Sequence, residues 1–244
     1  MIVATAVCPH PPLLLRELTG VQDVAADLRG VCESAVSVLL STPGLDRIVV
    51  VGGADTSRGE VSGRVPTRIY ADAARRGPEA EGAGRESRPP TAEPLPLSLG
   101  IARRLLDSVA PDTPVEMVTV AWDASAEEVE RVARAVAGRA ERVGLLVMGD
   151  GGARWGVREP GHLDAASVDV DEVVRHALAD GDTGALTALD PEEAADQMVA
   201  GRAALQVMAS AVVLGGTSVG SELLYADAPF GVTYFVAVWS CASC

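Results

Sequence analysis

The sequence predicts one α/β domain in which a central, mostly parallel or mixed sheet is flanked by helices. Three observations point that way. Apolar runs rich in β-branched residues occur at 2–8, 47–52 and 142–148, and their near-continuous hydrophobicity suits strands covered on both faces. Segments of helical periodicity separate such runs, the alternation expected of strand-helix-strand units. The 244 residues show no internal repeat and fit one core.

Taken in order, residues 2–8 predict the first strand, followed by a Pro-rich turn and a helix over 21–40 with Val24, Leu28, Val31 and Ala35 on one face. Residues 47–52 predict a central strand ending in Gly52-Gly53-Ala54-Asp55. The stretch 73–96, dense in Gly, Pro, Glu and Arg, reads as a flexible loop. A helix over 98–109 and a strand over 115–120 follow. Ser125-Ala-Glu-Glu128 is a capping box opening a helix whose Val129, Val132, Ala133 and Val136 share a side. Residues 142–148 predict another central strand, entering Gly149-Asp150-Gly151-Gly152-Ala153. Helices are expected at 170–179, 191–199 and 201–211, with 211–214 open between helix and strand. Closing strands are expected at 222–226 and 232–239, and Cys241-Ala-Ser-Cys244 reads as a frayed tail.

Composition narrows the function classes. A formal net charge of -14 opposes binding to nucleic acid and to anionic membranes, since both need a positive footprint. No apolar stretch reaches the roughly 20 residues of a membrane span. The first residues lack a basic leader and are interrupted by Pro9-His10-Pro11-Pro12, so a cytoplasmic location is expected. Gly215-Gly-Thr-Ser-Val-Gly220 lacks the dinucleotide-binding order, no phosphate-loop signature occurs, and no nucleotide cofactor is indicated. Serines 57, 218 and 221 do not sit in a nucleophile-elbow motif.

Candidate working residues lie where strands end, because open α/β sheets collect ligands at their carboxyl edge. His10, Asp55 and Asp150 each follow a strand, and their loops are expected to share one mouth. His162 lies in a Gly-Pro-rich loop, while His176 falls within a helix. Glu222 begins a late strand. Arg154 beside Trp155 pairs a charge with a ring, a combination suited to an anionic or aromatic molecule and equally to an ordinary surface pair.

Four segments, Cys8-Pro-His-Pro-Pro12, Ile48-Val-Val-Val-Gly-Gly-Ala-Asp55, Met148-Gly-Asp-Gly-Gly-Ala-Arg154 and Glu222-Leu-Leu-Tyr-Ala-Asp-Ala-Pro-Phe-Gly-Val232, together resemble the class III extradiol dioxygenase catalytic-subunit-like family, as a divergent member. Their order spans nearly the whole chain. The resemblance implies that family's α/β fold over 1–244 and, in its active members, iron held by two histidines and a glutamate for cleavage of an aromatic diol. Residue by residue, it assigns His10 to the first iron histidine and Glu222 to the glutamate. The second metal histidine falls near Ala54 and the catalytic histidine near Ala153, so both are replaced. Asp55 is the substitute metal ligand, and Asp150 and His162 are the substitute catalytic groups. The expectation is a degenerate site for Fe(II) or another divalent metal, with a small aromatic ligand. Efficient ring cleavage ranks below noncatalytic binding or a different metal-dependent reaction, and a protein-interaction domain without turnover is the third reading. Oligomeric state is not legible.

Overall fold

The computed structural model describes residues 1–65, 93–111, 113–153 and 169–243. Six strands form one mixed sheet: β1 (Ile2–Cys8), β2 (Arg47–Ala54), β3 (Val115–Ala121), β4 (Val143–Met148), β5 (Thr217–Asp227) and β6 (Tyr234–Ser243). Their spatial order is β3-β2-β4-β1-β6-β5. The first four strands run parallel, while β6 is antiparallel to both β1 and β5.

The helices are α1 (Ala26–Leu40), α2 (Leu97–Val109), α3 (Ala126–Ala137), α4 (Val170–Asp180), α5 (Thr183–Thr187), α6 (Pro191–Asp196) and α7 (Arg202–Leu214). They divide between the two faces of the sheet because strand side chains alternate. Val49, Val51, Leu145, Val147 and Trp239 pack with α3, α4 and α7. Ile48, Val50, Leu146, Met148 and Val238 pack with α1 and α2 on the opposite face. Apolar burial on both faces explains why β2 and β4 read as continuous hydrophobic runs.

Several ends move from their expected places. The 21–40 helix starts at Ala26, and Val21 and Val24 stay exposed, because the preceding segment is held by side chains instead. Arg29 donates both to Asp23 and to the carbonyls of Leu13 and Leu14. Residues 211–214 continue α7. The last strand extends through Ser243, with Cys241 buried, so the frayed-tail reading is corrected: β5 begins at Thr217 and supplies a ladder partner that the short sequence window hid. The Ser125 cap is present, its hydroxyl accepting from the Glu128 N–H at 3.3 Å. Most of the 73–96 loop lies outside the described residues; its close is pinned where the Leu95 N–H donates to Arg64.

Candidate functional site

The carboxyl ends of β2, β4 and β1 are adjacent, which brings the loops bearing Asp55, Asp150 and His10 to one edge of the sheet. Two of these residues touch. The His10 backbone N–H donates to Asp150 Oδ1 at 2.7 Å, and His10 Nδ1 lies 3.6 Å from the same oxygen, beyond hydrogen-bond range. His10 is only 5% exposed, and its Nδ1 is fully buried with no hydrogen-bond partner among the described residues. The imidazole stacks on Trp122, with centroids 5.8 Å apart and planes inclined by 24°.

Each contact has a local cause. Pro9 and Pro11 flank His10, and their fixed φ angles limit how far the loop can rearrange. Gly149 donates its N–H to the Cys8 carbonyl, locking the start of the Asp150 loop to the end of β1. Asp150 in turn accepts at its backbone carbonyl from the Gly201 N–H, where two glycine backbones meet: a Cβ on Gly149 would lie 2.8 Å from the Gly201 Cα. Asp171 finishes the loop, accepting from the Gly152 N–H at 2.7 Å and from the Thr233 hydroxyl at 2.6 Å.

Trp122 is held with similar care. A Cβ on Gly53 would sit 1.8 Å from its ring, so only glycine lets the indole lie against the end of β2. Behind it, the buried Arg202 donates to the carbonyls of Trp122 and Ala124 at 2.8 and 2.9 Å, and to Gln206 Oε1 at 2.9 Å. Burial pushes the Arg202 guanidinium down from its ordinary value. The sequence carried a signal for this role that the helical pattern alone did not reveal. A cation in the first turn of a helix opposes the macrodipole, and such placement calls for a compensating task.

Tyr234 completes the surroundings. Burial, and then the nearby Asp150 carboxylate, push its phenol well above the usual tyrosine range.

The other expected ligands lie elsewhere. Asp55 is exposed and lines a separate cavity of about 330 Å³ with Thr56, Arg58, Ser62 and Glu93. Glu222 pairs with Val238, which pairs with Ala6, placing it below the end of β1 and two strands away. It is exposed and lines a cleft of about 370 Å³ with Val38 and Thr42 at the end of α1. His162, Arg154 and Trp155 lie outside the described residues. His176 is exposed on α4 beside Glu172.

The His10, Asp55 and Glu222 metal set is therefore corrected. Among the described residues no group of three or more His, Cys, Asp or Glu side chains is placed to hold a metal ion. The expectations of Fe(II) or another divalent metal, and of an aromatic diol chelated by it, go with that set. The physical reason is topological: Glu222 opens a short polar-to-apolar window in the sequence, but β5 starts five residues earlier, and this longer register carries the carboxylate away from the sheet edge that holds His10 and Asp150.

No helix among the described residues is long and apolar enough to cross a membrane. No family model matches the chain, and no curated protein matches it. Among solved structures, the crystal structure of uncharacterized protein JW3007 from Escherichia coli K12 aligns over 98% of this chain and 99% of its own. The identity is 13% and the TM-score 0.43, too low to support an argument about fold or activity.

Proposed function

We propose that this chain is a divergent class III extradiol dioxygenase-like protein whose strand-end mouth binds a small, non-aromatic, hydrogen-bond-donating molecule through His10. The family assignment rests on the order of the four quoted segments. The ligand reading rests on one observation: His10 is buried, stacked on Trp122 and bonded through its backbone to Asp150, yet its Nδ1 stops 3.6 Å from that carboxylate and has no hydrogen-bond partner among the described residues, a pair left open that a ligand on the other ring nitrogen would close. A buried polar atom without a partner costs about 1–3 kcal/mol, and such a group calls for a reason, of which a ligand bound in use is one.

The chemistry follows from the Asp150 carboxylate beside Nδ1. A carboxylate there favours the tautomer protonated on Nδ1, leaving Nε2 as an acceptor. Hydrogen bonds of working pairs are commonly long before a ligand binds and tighten afterwards, so the 3.6 Å separation suits a pair that closes on occupancy. A ligand hydroxyl or amine donating to Nε2 strengthens the Nδ1–H dipole toward Asp150.

Trp122 supplies the readout. Polyols, hydroxyamides and aliphatic amino alcohols are titrated into the protein while tryptophan emission is followed, with Trp122→Phe identifying the Trp122 contribution. The reading expects saturable changes that vanish in Trp122→Phe and weaken at least tenfold in His10→Ala. Saturable binding that is indifferent to His10→Ala would place the ligand elsewhere, and no response from any class would remove the ligand reading.

A further inference from the structure

We propose that Cys8 and Cys32 form a reversible disulfide that resets the position of His10 in the mouth. Both residues are fully buried, Cys8 at the end of β1 and Cys32 on α1. The Cys8 thiol donates to the Cys32 carbonyl oxygen at 3.9 Å, and Cys8 is near enough to raise the Cys32 thiol pKa. They are free thiols in this structure.

The consequence for the mouth comes from how α1 grips the chain around His10. At one end of the Cys8–Leu14 segment, Cys8 meets Cys32. At the other, Arg29, one turn before Cys32 on the same helix, donates to the carbonyls of Leu13 and Leu14 at 3.2 and 2.8 Å. His10 lies between these two grips, and Pro9, Pro11 and Pro12 leave little freedom to absorb a displacement locally. Drawing the two sulfurs from non-bonded packing to covalent distance therefore moves α1 against β1 and shifts His10 relative to Trp122 and Asp150. The Cys8 carbonyl also holds the Gly149 N–H, which carries the shift into the Asp150 loop.

The oxidant is hydrogen peroxide, small enough to enter on local opening. One thiolate attacks the peroxide oxygen, the O–O bond breaks, and water leaves with a sulfenic acid remaining on that cysteine. The second thiol attacks the sulfenic sulfur, expelling the hydroxyl as water and forming the S–S bond. The two sulfurs are together oxidised by two electrons, and the peroxide is reduced to two waters. The nearness of Cys8, reinforced by burial, raises the Cys32 thiol pKa, so the pair resists casual oxidation and reacts when the α1–β1 contact opens.

The test uses the full chain and needs no ligand, so it stands or fails separately from the small-molecule reading. Protein treated with hydrogen peroxide is assayed for intact mass, peptide linkage and tryptophan emission, then reduced with dithiothreitol. The expected result is loss of two of the four thiols, a Cys8–Cys32 peptide and a change in Trp122 emission, all reversed by the dithiol. Cys32→Ser, checked for folding by circular dichroism, should show neither linkage nor emission change. If it does not fold, Cys8→Ala serves the same purpose, and the dithiol reversal in the unaltered protein remains decisive. Sulfinic acids without a crosslink, or no reaction at all, would overturn the disulfide. A crosslink that leaves Trp122 emission unchanged would overturn its coupling to the mouth.

Discussion

Gly53 shows how a single missing atom can position a site. With Cβ only 1.8 Å from the Trp122 ring, Gly53→Ala must displace the indole or the end of β2. Overpacking of this kind costs about 1–3 kcal/mol. We expect a loss of that size in chemical denaturation, together with altered Trp122 emission in the folded protein; unchanged values for both would mean the ring is free to move. Asp150 and Glu222, two carboxylates of similar appearance in the sequence, are expected to differ sharply. Asp150→Ala removes the acceptor of the His10 backbone N–H and should cost about 1–3 kcal/mol. Glu222→Ala removes an exposed side chain and should stay within about 0.5 kcal/mol. Paired urea unfolding curves check the contrast. His10 and Asp150 were legible because each ends an apolar run. Trp122 and Asp171 were not, since their roles depend on contacts between distant loops that no local pattern announces; Arg202 was marked only by its place in the first turn of a helix.

At the scale of elements, the strands were readable wherever burial on both faces made them continuously apolar, as in β2 and β4. β5 was harder, because its first half, Thr217–Ser221, is polar and glycine-containing at the sheet edge. Misplacing that strand also misplaced Glu222. The start of α1 was similarly hidden: 21–25 has helical spacing, yet Asp23 serves Arg29 instead. That ion pair gives a pH signature. Hydrogen bonding to Arg29, first among the causes, lowers the Asp23 carboxyl from 3.8 to about 2. A carboxylate whose pKa is depressed by folding contributes stability that is fully present above its unfolded value and is lost as pH falls through its folded one. The contribution should therefore disappear between about pH 4 and pH 2. Wild type should lose more stability than Asp23→Asn across that window in thermal melts, and parallel acid limbs would show that the pair contributes nothing.

At the scale of the molecule, one sheet with helices on both faces puts the loops after β1, β2 and β4 at a common edge and leaves β5 at the far side. This arrangement separates that edge from Glu222 and gives His10 its neighbours from the ends of β3 and β4. The fold class was readable from alternating apolar runs and helical segments, whereas the strand order was not, because β1 pairs with β4 and β6 across most of the chain length. Histidine side-chain resonances offer the most direct test of the resulting account. The chain has three histidines, and His176, exposed on α4, serves as an internal reference. With the tightest hydroxyl- or amine-bearing compound added to the isotope-labelled protein, the His10 ring nitrogens should shift with saturation, Nδ1 moving as its hydrogen bond to Asp150 closes, while His176 stays still. Saturable binding that shifts other resonances and leaves both His10 nitrogens unmoved would contradict the claim that His10 is the group this mouth presents to its ligand.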